Sequence, residues 1–374
     1  SDERSSLTMP GGDLADRRKT HVLILVFGTA LVSVLAVEAL SRLLVSHGSR
    51  SYHQYRVTPY PTFWADINPA SGMWHPANAT FHHAEQCWDV TYHTNSYGAR
   101  DAERSRRSSG RPRHIVLGDS FIEGYGLPDG DRLTNRLNAS TDQEFLNFGE
   151  GEFGTVQELM LYRSLASSFE HSDVVLFVLP DNDFMDNDPK YYPRSRYRPY
   201  LRRTDAGDQI YYPVKFEDRD RHTLSVWMRA WNWLNNHVYL LNLTRQAVEH
   251  RLRDYVPRIY TSYEGHSKEE LDTMADAIRG LAAAAHPRPV YVFMIPLQVD
   301  LDGYLEGKRF ALPDRLRAAL HDTEHVRLID LLPAFLEYVA DHHVPTSAFY
   351  LNCDAHWGAL GNAVAAQAVW RQLH

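Results

Sequence analysis

The sequence predicts an α/β protein, a three-layer α/β/α sandwich with a mostly parallel central sheet, preceded by one transmembrane helix. Short apolar segments alternate with helical patterns along most of the chain, which is typical of a sheet covered by helices on both faces. One long apolar segment without charge lies close to the beginning of the chain. The 374 residues, 44% hydrophobic and 23% charged, have a globular composition and suffice to bury a core.

Five apolar segments have the length of strands, and the third of them is a continuous run suited to burial on both faces. The predicted strands are residues 114–117, 145–147, 173–179, 290–295 and 326–330. The predicted helices of the same region are residues 156–167, 271–285, 313–320, 334–338 and 359–373. Polar residues that follow such strands form the site of a parallel α/β sheet.

The apolar segment Val22–Val37 contains 16 residues and predicts a membrane anchor. At ~1.5 Å per residue it gives about 24 Å of helix, and its continuation to Val45 reaches the ~30 Å of a bilayer core. A cleaved signal peptide and a buried soluble helix are the alternatives to an uncleaved anchor. The basic residues 17–19 outweigh Arg42 on the other flank, which favours a cytoplasmic N-terminus and a main domain in the periplasm or outside the cell.

These features predict four regions. They are a cytoplasmic tail (1–20), an anchor helix (21–46), a lead-in segment with irregular or small antiparallel structure (47–113) and an α/β domain (114–374) that carries an aromatic-rich insert (184–260). A helix over about 224–253 is expected inside the insert. Its tyrosines and tryptophans could form a stacking platform for sugar rings, or they could be ordinary core and lid packing.

The formal net charge of −8 argues against a nucleic-acid binder that relies on overall basic charge. Two cysteines cannot form a disulfide framework or a four-cysteine zinc site. The histidines outside the motif described next lack metal-ligand neighbours, so we expect neither a metal nor a cofactor.

Four polar blocks lie where an α/β sheet would place its site. They are Gly118-Asp119-Ser120-Phe121, Asn147-Phe148-Gly149 with Gly154-Thr155 after it, Asn182-Asp183, and Asp354-Ala355-His356-Trp357. In this order they resemble the SGNH (GDSL-like) hydrolase superfamily. The block Asn95-Ser96-Tyr97-Gly98-Ala99-Arg100 is similar to the lead-in of membrane-anchored members, and the resemblance covers about residues 85–374.

The resemblance implies catalytic roles for residues at both ends of the domain. Ser120 would be the nucleophile, His356 the base that accepts its proton, and Asp354 the group that orients the imidazole. The oxyanion would be held by the backbone N–H groups of Ser120 and residue 152 and by the Asn182 side chain. The competing interpretations are a structural turn at Ser120, a surface histidine at 356 and a helix N-cap at Asn182.

The sequence departs from the family pattern at two positions. Glu152 stands where the family has its oxyanion glycine, and a carboxylate there would repel developing negative charge unless it points away. The aspartate and histidine are separated by one residue instead of the two found in many members, which makes the role of Asp354 less secure. Cys353 adjoins Asp354, so a Cys87–Cys353 disulfide would tie the lead-in to the catalytic loop. Two buried free thiols are the alternative.

We expect an extracytoplasmic serine esterase or O-acyl transferase, in particular of acetyl groups, acting on a glycan or another envelope substrate. A lipid or aryl esterase is an alternative that differs from this expectation only in its substrate. The rival from another class is a catalytically silent SGNH-fold subunit of a membrane protein complex, favoured by Glu152 and the anchor. The expected partners are an acylated glycan or small ester and the lipid bilayer, with no nucleic acid.

Overall fold

The computed structural model describes residues 12–47, 55, 63–85, 87–191, 196–205, 207–222, 225–255 and 261–374. Parts of the predicted tail, lead-in and insert, Tyr192 among them, lie outside the described residues. The chain divides into two compact units, Ser1–Val57 with Trp227–Tyr255, and Thr58–Val226 with Val256–His374.

Twelve helices and eleven strands lie in the described residues. The strands are β1 (Ala65–Asn68), β2 (Gly72–Trp74), β3 (Thr80–Glu85), β4 (Trp88–His93), β5 (Arg113–Gly118), β6 (Glu144–Gly149), β7 (Asp173–Val178), β8 (Tyr200–Thr204), β9 (Gly207–Tyr211), β10 (Val290–Met294) and β11 (Val326–Asp330). The helices are α1 (Gly12–Ser46), α2 (Ser120–Glu123), α3 (Leu133–Ser140), α4 (Thr155–Ser164), α5 (Asp183–Asp186), α6 (Val226–His237), α7 (Tyr239–Tyr255), α8 (Lys268–Ala285), α9 (Gln298–Leu305), α10 (Leu312–Ala319), α11 (Leu332–His342) and α12 (Ala359–Leu373).

The larger unit is built on a five-stranded parallel sheet in the order β11-β10-β7-β5-β6. All five predicted strands are present, and the predicted fold class is confirmed. Among the five strands of this sheet, β5 comes first along the chain, and it lies between the second, β6, and the third, β7. This is the doubly wound order 2-1-3-4-5, in which connections leave β5 in opposite directions and open a crevice at the carboxyl ends of β5 and β7.

Two apolar layers cover the sheet, and β7 shows how one strand serves both. Val174, Leu176 and Val178 face the layer that contains α4, α8 and α10, whereas Val175 and Phe177 face the layer with α3, α11 and α12. Side chains alternate across a strand, so a strand buried on both faces must be apolar at every position. This is the physical reason for the continuous apolar run in the sequence.

The larger unit also contains small antiparallel strand pairs, some before β5 and one between β7 and β10. β1 pairs with β2 and β3 with β4 in the lead-in, and β8 pairs with β9 in the insert. The helices α3 and α9 and the β8–β9 hairpin are additions to the elements predicted from the sequence.

The smaller unit contains α1, whose segment Lys19–Ser46 is long and apolar enough to cross a membrane by length and composition. Its 28 residues give about 42 Å of helix at ~1.5 Å each. The apolar side chains project outward, with Phe27 71% exposed.

The single helix predicted over 224–253 is wrong, because the chain forms two helices, α6 and α7, that meet at Val238. The break is stabilised from α1. The Glu38 carboxylate accepts hydrogen bonds from the N–H groups of Tyr239 (3.1 Å) and Leu240 (2.9 Å), the donors that a helix start leaves without partners. No local sequence signal at Val238 reveals an acceptor that lies 200 residues earlier in the chain.

Candidate active site

The nucleophile block follows β5 at the crevice of the doubly wound sheet. Ser120 is the first residue of α2, and the Asp119 side chain caps this helix by accepting from the Phe121 N–H at 2.9 Å. Gly118 at the end of β5 is in register with Gly149 at the end of β6. The residues that follow β5, β6 and β7 therefore lie side by side, as the resemblance implied.

The structure brings Ser120, His356 and Asp354 together. The Ser120 Oγ lies 2.7 Å from His356 Nε2, and His356 Nδ1 is hydrogen-bonded to Asp354 Oδ1. Ser120 is largely buried, with 8% of its surface exposed. Burial pushes the pKa of Asp354 upward, but the hydrogen bonds and charge of His356 outweigh it and hold that pKa below its usual value.

The one-residue spacing between the aspartate and the histidine is accommodated by a side-chain turn. Asp354 Oδ1 accepts from the His356 backbone N–H at 2.9 Å as well as from its ring. One carboxylate oxygen thus fixes both the backbone and the imidazole two residues later. The loop is fastened further by the Cys87–Cys353 disulfide, with 5.9 Å between the Cα atoms, so the alternative of two free thiols is wrong.

Glu152 occupies the predicted oxyanion position in a left-handed backbone conformation, with φ +58°. A glycine adopts this conformation without strain, whereas another residue is strained by on the order of 1 kcal/mol or more. The backbone therefore keeps the shape that the family's glycine implies. The Glu152 side chain is 66% exposed and forms an ion pair with Arg196, which compensates its charge.

The backbone of this turn presents one N–H group that its neighbours do not use. Gly151 N–H donates to Glu123 Oε2 at 2.9 Å and Phe153 N–H donates to the Glu150 carbonyl at 3.3 Å. Within the described part of the chain, no acceptor is found for the Glu152 N–H. This leaves it available to a ligand.

Asn182 begins α5, but its side chain makes no capping hydrogen bond, which argues against a simple N-cap role. It lies instead close enough to the Asp119 carboxyl to lower the pKa of that group. Burial dominates nevertheless and raises the Asp119 pKa to about 6, against the lowering by the Phe121 N–H and by the charge of His356. The third predicted oxyanion donor therefore lies beside the nucleophile block.

The chain was compared with protein-family models, curated proteins and solved structures. No protein-family model and no curated protein matches the chain. Solved structures that it resembles are mostly lipolytic G-D-S-L proteins and esterases. The strand order and the placement of the four blocks resemble those of the SGNH hydrolases.

Two of these structures illustrate the range of proteins that the chain resembles. A G-D-S-L lipolytic protein from Veillonella parvula is 14% identical, with 69% of this chain and 96% of that chain covered and a TM-score of 0.36. An acetylxylan esterase from Geobacillus stearothermophilus, solved as a catalytic mutant, is 11% identical, with 71% and 95% covered and a TM-score of 0.38. At TM-scores below 0.5 these likenesses say nothing of substrate, and the assignment rests on the strand order and the placement of the four blocks.

A buried ion cluster supports the oxyanion turn of this SGNH fold. His75 Nδ1 lies 2.9 Å from Glu150 Oε2, and its Nε2 lies 3.3 Å from Glu123 Oε1. Burial lowers the pKa of His75, but the two carboxylates overcome this and raise it to about 10, so the ring is cationic at neutral pH. Because Glu123 also accepts from Gly151, the cluster links α2 to the turn that contains Glu152.

The second SGNH block holds the nucleophile helix in place. The Asn147 amide donates to the Ile122 carbonyl at 2.8 Å, and its oxygen accepts from the Gly149 N–H at 2.8 Å. Buried Arg100, from the lead-in block, donates to the carbonyls of Glu123 (3.0 Å) and Gly124 (2.5 Å) at the end of α2. Both blocks thus act on the position of Ser120 through its helix.

Four residues of the site were not singled out as site residues from the sequence. His75, Arg100 and Arg196 neutralise or position the groups around α2, and the Tyr125 ring lies against the His356 ring with centroids 4.6 Å apart. Tyr125 stands between two glycines directly after the nucleophile block, and Arg100 closes the lead-in block, so both carried a weak signal. His75 and Arg196 lie in segments without a motif.

Gly149→Ala should destabilise the protein. An added Cβ would lie 2.3 Å from the Glu123 nitrogen and 2.5 Å from the Ile122 carbonyl carbon, which are backbone atoms of α2. We expect a loss on the order of 2 kcal/mol or more, seen as a Tm lower by about 5 °C. The matched control is Gly130→Ala, where an added Cβ meets nothing within 4 Å. Equal Tm values for the two variants would contradict the tight packing.

Asp119→Asn should change how stability depends on pH. Because the native pKa of Asp119 is about 6 and its ordinary value is 3.8, the folded state holds this proton more tightly. The wild-type protein therefore loses stability as pH rises through this window, by roughly 3 kcal/mol from this group. The Tm of the variant minus the Tm of the wild type should therefore be larger near pH 7 than near pH 4, measured on the full chain in detergent. A difference in Tm that is unaffected by pH would oppose this.

Proposed function

We propose that this protein is a serine esterase or O-acyltransferase with Ser120, His356 and Asp354 as its catalytic triad. The observation that carries the proposal is the 2.7 Å contact between Ser120 Oγ and His356 Nε2, with Asp354 on the opposite ring nitrogen. This is the geometry in which a base can remove the proton of an attacking hydroxyl.

The reaction proceeds in two steps. Ser120 Oγ attacks the ester carbonyl while His356 Nε2 takes its proton, and Asp354 stabilises the imidazolium. The N–H groups of Ser120 and Glu152 and the amide of Asn182 stabilise the oxyanion. His356 then protonates the departing alcohol, which leaves an acyl group on Ser120. Water or another hydroxyl, activated by the same imidazole, releases the acyl group, so hydrolysis and transfer share one site.

The substrate we propose is an O-acylated, in particular O-acetylated, glycan of the cell envelope. We place the larger unit outside the cytoplasm, anchored in the lipid bilayer through α1. The support is the apolar Lys19–Ser46 helix together with the Cys87–Cys353 disulfide, because disulfides persist in oxidising compartments. Lipid and aryl esters are the alternative substrates.

The silent-subunit alternative rested on the carboxylate at position 152. That argument is weakened by the ion pair between Glu152 and Arg196, which compensates the charge. The left-handed backbone keeps the Glu152 N–H in the turn where a glycine N–H is expected. We therefore favour the enzyme over the subunit of a membrane complex.

Ser120→Ala tests the proposal directly. The full chain in detergent should hydrolyse p-nitrophenyl acetate and react with a fluorophosphonate probe, and both should fall by at least about a thousandfold in the variant. Ser167→Ala, which changes an exposed serine, is the matched control and should retain both. Hydrolysis that persists in Ser120→Ala would remove Ser120 from the mechanism. Release of acetate from acetylated xylan, compared with long-chain p-nitrophenyl esters, separates the substrate classes.

Arg196→Met should reduce kcat because it leaves the Glu152 carboxylate uncompensated beside the developing oxyanion. We expect a loss on the order of tenfold, and restoration when Glu152→Gln is added to the same chain. The double variant separates charge from packing, because Arg196 also lies 3.5 Å from Asp66. A double variant as slow as Arg196→Met would show that Arg196 acts in another way.

A further inference from the structure

The α6–α7 hairpin has its polar and apolar residues arranged opposite to those of a water-soluble helix pair. Asn232, Asn235 and Asn242 are buried, with exposures of 5%, 0% and 0%. Trp227 and Trp231 are 85% and 45% exposed. In water, apolar side chains pack inward and amides face solvent.

The buried amides are joined by hydrogen bonds inside the hairpin. Asn242 Nδ2 donates to the Asn235 carbonyl at 3.2 Å, and Asn235 Nδ2 donates to the Trp231 carbonyl at 2.7 Å. Arg245 donates to Asn232 Oδ1 at 2.8 Å and lies over the Tyr55 ring, 3.6 Å from its centroid. The bond from Asn242 joins the two helices, and hydrogen-bonded polar groups inside with apolar groups outside are the arrangement that a lipid environment favours.

Three of the exposed apolar residues of α6 form one face. Trp227, Trp231 and Leu234 follow one another at spacings of four and three residues, which places them on the same side of a helix. Trp233 is a further exposed aromatic residue on α6, at 53%. Tryptophan is enriched at the boundary between lipid headgroups and acyl chains, where its ring is amphipathic enough to lie.

The hairpin is attached to α1 at the end of the apolar segment. The Arg42 guanidinium donates to the His237 carbonyl at 2.8 Å, and Glu38 accepts from the first N–H groups of α7. Glu38 and Arg42 are the first charged residues after Val22–Val37, so they mark the level at which α1 leaves the hydrocarbon. The joint between α6 and α7 is held at that level.

We propose that the α6–α7 hairpin is a second membrane-contacting element, with the Trp227–Trp231–Leu234 face inserted at the boundary of headgroups and acyl chains. Its ligand is the lipid bilayer surface, and this occupant follows from the attachment of the α6–α7 joint to Glu38 and Arg42, at the end of the apolar segment of α1. The tryptophans of α6 thus serve membrane contact instead of sugar stacking. The inference rests on α1 as a membrane anchor and is independent of the catalytic role of Ser120.

Site-specific fluorescent labels on the full chain test this inference. Because both native cysteines form the disulfide, an introduced cysteine is the thiol that an NBD reagent labels under non-reducing conditions. Trp227→Cys and Trp231→Cys report on the hairpin, and Leu31→Cys reports on α1. Tyr191→Cys is the matched control, because it replaces an aromatic residue of the larger unit that is 52% exposed. The labelled proteins are placed in phosphatidylcholine–phosphatidylglycerol nanodiscs that carry doxyl groups near the headgroup or deep in the acyl chain.

We expect the labels at 227 and 231 to be quenched about twofold or more, and more strongly by the shallow doxyl group than by the deep one. The label at 31 should respond more to the deep group, and the label at 191 to neither. Labels at 227 and 231 that behave like the label at 191 while 31 is quenched would overturn the hairpin inference and leave the anchor intact. Blue-shifted emission at 227 and 231 without quenching would overturn it in favour of a protein partner. An unquenched label at 31 would refute the anchor and the inference together.

Discussion

The hydrogen bond between Ser120 Oγ and His356 Nε2 joins residues 236 positions apart, and the architecture is organised around making it possible. The parallel sheet fixes one partner at the end of β5. The closing helix α12 begins three residues after His356 and packs on the face of the sheet that contains α3. The Cys87–Cys353 disulfide and the Asp354 turn then hold a short loop in register with the nucleophile. A contact of this separation is entropically costly, so it needs support from many packed elements.

The second constraint is electrostatic. Many acidic residues lie around the candidate active site, where the proposed reaction develops an oxyanion. The protein manages them in three ways. His75 is cationic and pairs with Glu123 and Glu150 below the oxyanion turn. Arg196 pairs with Glu152 at its outer side. Burial, together with the charges of Asp119 and Asp186, raises the pKa of Glu158 well above its usual value. The electrostatic potential at Ser120 is therefore less negative than the number of acidic residues around it suggests.

The smaller unit distributes its polar and apolar side chains in the opposite way from the larger unit. The amides Asn232, Asn235 and Asn242 are buried and the tryptophans of α6 are exposed, whereas the layers against the central sheet of the larger unit are apolar. The insert that interrupts the α/β alternation thus supplies two different parts, the β8–β9 hairpin of the larger unit and the α6–α7 hairpin of the smaller one.

The sequence by itself determined the central strands, the anchor segment and the three residues of the proposed triad, because strand burial, membrane length and strand-end motifs are local patterns. Only the tertiary structure decided the direction of the Glu152 side chain, the pairing of the cysteines, the ion cluster of His75 and the break at Val238. Each of these depends on a partner far away in the chain, such as Arg196, Cys87, Glu123 or Glu38. Local periodicity carries no information about such partners, since they meet through packing alone.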